Sequence, residues 1–263
     1  VPSATQASVP AAQALFFYFK QERCIVKTQT QRAQIPAVWR SIEKDLDSYL
    51  DAVVDATMIF SAAVHAYLSA GPDGACWQQA RRVTEHMRTL DALQQKVEMG
   101  IQCQSAAQGP VSGLMNPLTG VSRLLKDMKR QMTGFAIESG FSGPCRHVPE
   151  HLRADLQELT EAVCAAVDAL VENCRPSRLL WADQSIAEEK RGVSWYEGEA
   201  DRLSMQLIRR IFADDSLDIA AKLPLAQLVE EIDRVADYAE AVAKELRASR
   251  GSVTVIGASE VYR

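Results

Sequence analysis

From Ile42 to Tyr67 the chain repeats a helical period: Ile42, Leu46, Tyr49, Leu50, Val53, Thr57, Phe60, Val64 and Tyr67 recur at steps of three and four. Such a row makes one face of an α-helix apolar and leaves the others polar. Pro36 stands at the start, a favoured first-turn residue, and Gly71-Pro72 stops the pattern. At about 1.5 Å per residue this predicts a helix of roughly 50 Å. A one-sided helix of that length needs other helices beside it, so the chain reads as an all-α bundle.

The same period returns down the chain. A second helix is expected from Asp73 to about Gln108, and a third from Asn116-Pro117 to about Ser139. GFSGPCRHVP is a linker by composition. After it, a fourth helix is expected from Pro149 to Asn173 and a fifth over 178–213. The sixth should run from Asp218 or Pro224 to Ala248. Three helices, a linker and three helices suggest duplication. A shift of 110 lays Asp45-Leu46 on Asp155-Leu156, Ala52-Val53 on Ala162-Val163, and Asp91 on Asp201. A shift of 107 lays Pro117-Leu118 on Pro224-Leu225. The expected organisation is an N-terminal segment 1–35, a first unit 36–139, a linker 140–148, a second unit 149–248 and a tail 249–263.

Charge and hydropathy exclude several classes. Twenty-nine basic side chains against 34 acidic ones give a net charge of −5, which offers no general footprint for nucleic acid or anionic lipid. The weakly charged run Ala56–Gly71 is about three-quarters of a bilayer span, so it reads as a core helix. VPSATQASVP has neither the basic start nor the apolar run of a secretory signal. The six cysteines, at 24, 76, 103, 145, 164 and 174, form no CxxC and read as free thiols in a reducing compartment. A cytoplasmic protein is therefore expected, reaching a membrane only through a partner.

The chemistry concentrates in residues 193–246. Leu203, Leu207, Ile208, Ile211 and Phe212 form the stripe of one helix; Leu228, Ile232, Val235, Ala239, Val242 and Leu246 form that of the next. Glu197 and Asp201 are four apart on the first, Asp233 and Asp237 four apart on the second. A step of four turns a helix by about 40°, so each pair leaves from one face beside the apolar stripe. Where the two helices meet, these carboxylates repel unless protonated, hydrogen-bonded or bridged by a cation. Acids at this spacing also occur on solvated faces paired with Lys or Arg, and both readings stand from spacing alone.

DRVADYAEAVAKEL resembles the signature of PhoU-type phosphate regulators, an acid-x-x-x-Asp motif followed by Ala and Glu. EGEADRLSMQLIRRIF resembles the matching motif of the PhoU-related proteins that accompany Pit-type phosphate transporters. The resemblance implies two tandem three-helix units over nearly the whole chain. It also implies a non-enzymatic regulator or accessory protein whose partner is a membrane phosphate transporter or a signalling protein, with homo-oligomers allowed. In that family paired acids bind metal in some members. Carried over residue by residue, this points to Glu197, Asp201, Asp233 and Asp237, with Glu240 beside them, for a divalent or ferric ion and no organic cofactor. The first repeat departs from the pattern: Met87 stands where the second has Glu197, and Lys126 and Arg130 stand where it has Asp233 and Asp237. These two cations are expected to neutralise Asp91 without metal.

Two other classes remain open, a metal-free helical interaction module and a carboxylate-bridged metalloenzyme. No histidine follows a glutamate at the Glu-x-x-His spacing of ferritin-like di-iron sites, which weighs against the enzyme. No nucleotide-binding loop is present. Cys145, His147 and His151 are better read as linker and helix start than as zinc ligands. The acids Glu43, Asp47, Asp51 and Asp55 read as a wet face, His86 as a surface residue and His65 as core or boundary. CIVKTQT (24–30) and SVTVI (252–256) alternate like short strands, with ALFFYF placed to cover a pairing between them.

Overall fold

A computed structural model describes residues 37–71, 76–105, 115–137, 148–176 and 192–259. The described residues form six helices: α1 Ala37–Ala70, α2 Cys76–Ser105, α3 Met115–Ile137, α4 Glu150–Cys174, α5 Val193–Ala213 and α6 Ile219–Ser259. No strand occurs among them. By contacts the chain divides between Ser41 and Ile42, and everything below lies in the second of these two parts, apart from the opening residues of α1. The fold is all-α, three helices followed by three.

All nine members of the α1 stripe are buried, from Ile42 to Tyr67. Helix Arg40–Ala70 has the length and hydropathy to cross a bilayer, yet this stripe lies against protein. On α2, the ring of His86 meets the Ala52 carbonyl of α1 at 2.6 Å, and Gly100 lies against Ile42. In the second half, α4, α5 and α6 each pack on the other two. The α6 stripe is buried throughout, as are Leu152, Leu156, Leu159, Val163 and Val167 of α4.

The halves join through α3, which packs on both α2 and α6. Gly120 makes the close approach possible, because a Cβ there would lie 2.6 Å from Val242 Cγ2 on α6. Gly120→Ala should thus cost about 1–3 kcal/mol of overpacking, offset by up to about 1 kcal/mol of helix propensity. The expected result is a lower urea midpoint; an unchanged or raised midpoint would show that α3 and α6 can part freely. A second joint is Arg175, just past α4, whose guanidinium reaches Asp51 at 2.7 Å and Asp47 at 3.5 Å on α1.

Several expectations give way here. SVTVI (252–256) is helical, part of α6. A helix already started extends one bond at a time, and β-branched residues disfavour that only slightly. CIVKTQT, ALFFYF and residues 140–147 lie outside the described residues, as does the expected start of the fifth helix. Asp218 rather than Pro224 opens α6: its carboxylate accepts the Ala221 N–H at 2.8 Å, and Pro224 sits inside the helix. Phe212 is 44% exposed although it was placed in the α5 stripe. The wet-face reading of the α1 acids gives way only at Glu43, which is buried; Asp51 and Asp55 are exposed and Asp47 is half-buried, with Asp47 and Asp51 pairing with Arg175. His86 is half-buried and bonded, His65 is exposed, and His151 pairs with Asp214 at 2.8 Å.

Candidate functional site: carboxylates at the α5–α6 seam

The apolar stripes of α5 and α6 pack against each other, so the acids flanking them meet at the edge of the seam. Glu197 and Asp201 of α5 and Asp237 of α6 each bring a carboxylate oxygen within 4.8 Å of the other two. Asp233, one turn earlier on α6, is half-buried and accepts the Ser204 hydroxyl at 2.8 Å through Oδ2. Its Oδ1 is buried with no hydrogen-bond partner. Glu240, one turn later on α6, makes an ion pair with Lys244 at 2.5 Å and a side-chain hydrogen bond with Ser194 of α5. Of the five acids singled out in the sequence, three therefore converge, one stands beside them with an open oxygen, and one is tied to a lysine.

The charges respond to this crowding. Loss of hydration pushes the Asp233 carboxyl up to about 6, against the Ser204 hydrogen bond that pulls it down and with Asp201 and Asp237 adding to the rise. Glu197 is raised by desolvation, then by Glu240, Asp201 and Asp237. Asp237 is raised by desolvation, then by Asp201 and Glu240, with Arg234 and Lys244 pulling it back. The Lys244 hydrogen bond holds Glu240 below its ordinary value.

An all-oxygen donor set suits a hard cation. Two oxygens bound to one such ion at about 2.0–2.6 Å lie no more than about 4–5 Å apart, so this spacing fits a shared coordination sphere. The unpartnered Asp233 oxygen points to the same chemistry, since a buried carboxylate oxygen ordinarily finds a donor or a cation. These residues fit such an ion.

At the positions that the 110- and 107-residue shifts align with these acids, no such group occurs among the described residues. Met87 is buried, and Arg130 is engaged by Asp127 at 3.0 Å and by Glu231 at 2.9 Å rather than serving Asp91 as expected. Ser204 was not legible as a participant: its position one turn after Asp201 was visible, but its reach across the seam depends on how the helices meet.

No family model matches the chain, and no curated protein does. Solved structures do. A PhoU-like phosphate regulatory protein from Shewanella oneidensis MR-1 superposes with a TM-score of 0.66 at 18% identity, covering 80% of this chain and 96% of its own. A second PhoU-like protein from the same organism gives 0.67 at 19% identity, over 80% and 99%. The chain has the PhoU-like fold. PhoU from Pseudomonas aeruginosa aligns at 15% identity with a TM-score of 0.47, over 82% and 98%. In this PhoU-like chain, then, the carboxylate seam belongs to the last two of six helices.

The raised carboxyls make a pH prediction for the cation-free protein. Folded Asp233, Glu197 and Asp237 hold protons more tightly than the unfolded chain does, so stability falls as pH rises. For Asp233 the benefit is complete below about pH 4 and is lost as pH passes through its folded value of about 6. The melting temperature should drop more between pH 5 and 7.5 in the wild type than in Asp233→Asn. Equal drops would show that Asp233 does not titrate in this range.

Proposed function

We propose that the protein is a non-enzymatic regulator or accessory protein of phosphate transport, acting by binding a membrane transporter or signalling partner through its helical surface. The likeness of fold to proteins described as PhoU-like phosphate regulatory proteins supports this. The observation that carries the chemistry is the convergence of Glu197, Asp201 and Asp237 across α5 and α6. In this reading those carboxylates hold a divalent or ferric ion, with Asp233 able to join them. The ion would cancel the repulsion at the seam and pin the two helices together. The protein would work in the cytoplasm and reach the membrane through its partner.

Affinity capture from detergent-solubilised membranes tests the partner. Co-purification of a phosphate transporter supports the reading. Capture of soluble proteins alone, at matched expression, transfers the weight to a helical interaction module without a transport role.

A further inference from the structure

The net charge of −5 hides an uneven distribution. Helices α2 and α3 together carry eight basic side chains against four acidic ones, whereas α1 and α4 carry three against eleven. On α3, Arg123, Lys126 and Arg130 follow at steps of three and four and are all exposed, so they share its outer face. On α2, Arg81, Arg88 and Lys96 recur about every two turns and are exposed as well. The two helices pack on each other, so their outer faces border one another. Arg130 is held by Asp127 and Glu231. Among the described residues, no ion pair engages the other five. Lys126 and Arg130 stand at the positions aligned with Asp233 and Asp237, so the two repeats differ in surface charge as well as in ligands.

This face lacks an apolar centre. Met99 is the one exposed large apolar side chain of α2 and α3 among the described residues, and no exposed aromatic accompanies it. Protein partners are gripped through aromatic and apolar anchors, in interfaces where lysine is depleted. Duplex DNA is read by an element that enters a groove, whereas these cations line the outside of two adjacent helices. A layer of anionic headgroups asks only for positive charge close to its plane. At about 0.1 M salt, charges farther than about 10 Å are largely screened, so the local face outweighs the net charge. We propose that the α2–α3 face rests directly on anionic lipid headgroups. It adds a direct hold on the membrane to the partner-mediated one proposed above. It depends on neither that partner nor a cation at the α5–α6 seam.

Sedimentation of the full chain with vesicles is the test. Phosphatidylcholine vesicles with about one-third phosphatidylglycerol should bind the wild type at about 0.1 M salt and release it at about 1 M. Vesicles of phosphatidylcholine alone should not bind it. Each lysine or arginine near an anionic surface strengthens binding roughly fivefold, so Arg88→Gln, Arg123→Gln and Lys126→Gln together should weaken it at least about thirtyfold. Arg202→Gln, Arg209→Gln and Arg247→Gln together remove as much exposed charge from α5 and α6 and should leave binding within about twofold. Arg88→Lys with Arg123→Lys keeps the charge and should keep the binding. Equal weakening by both triple variants, or loss in the lysine variant, overturns the proposal. So does a wild type that ignores anionic vesicles, which would leave the face to an acidic protein. Duplex DNA that strips the protein from vesicles at equal phosphate concentration would reassign the face to nucleic acid and overturn it too. The vesicles hold no protein, so each outcome is separate from capture of a transporter.

Discussion

Asp237→Ala should reduce the affinity for a hard cation by at least about tenfold, because even a residue that merely orients a metal ligand commonly contributes ten- to a hundredfold. Asp237 is the sole member of the converged trio from α6, so its loss leaves two acids on one helix and no bridge across the seam. Asp51→Ala is the matched control. That carboxylate is also exposed and also on a helix, but it is occupied by Arg175 at 2.7 Å. It should cost a little stability and no metal. Metal content after dialysis against a defined Mn2+ concentration reads the difference. Equal loss from both variants, or none bound by a carefully loaded wild type, would remove the seam from consideration as a metal site.

Phe60→Ala should lower the unfolding free energy by about 3–5 kcal/mol. The Phe60 ring is fully buried in the middle of α1, where protein surrounds it on every side. Against the roughly 5–15 kcal/mol that holds a typical domain together, this is a large fraction. Urea unfolding followed by circular dichroism measures it. The same substitution asks whether α1, the helix with the hydropathy of a membrane span, is a core element in solution. A midpoint unmoved by Phe60→Ala would mean that α1 does not pack as described.

The fold was largely legible because helical periodicity is a long-wavelength signal. Nine α1 residues spread over seven turns all had to agree, and all nine are buried. Short signals did less well. Five residues at 252–256 resembled a strand only in isolation, and helix α6 carries them along. Phe212 fitted a stripe by spacing but lies one residue before the end of α5 and is exposed there, beside the fully buried Ile211. The convergence of Glu197, Asp201 and Asp237 followed from acids placed beside stripes that had to meet. The separate arrangements of Asp233 and Glu240 did not, since they depend on single side chains choosing a direction, Ser204 for one and Lys244 and Ser194 for the other. The same limit explains Arg130. Its spacing put it opposite Asp91, but Glu231, 101 positions further on, was the stronger claim.

Helix α6 packs on α3, α4 and α5, and it is the last of the described helices to leave the ribosome. The tie from Arg130 to Glu231 spans 101 positions of chain, so α3 waits while all of them are made for the surface it will rest on. At about 5–20 residues per second, that wait is roughly 5–20 s. During it, the side of α3 that will meet α6, where Gly120 lies against Val242, has no finished counterpart. A nascent chain stalled just short of α6 should accordingly be a better client for a holdase chaperone than one extended past the end of that helix.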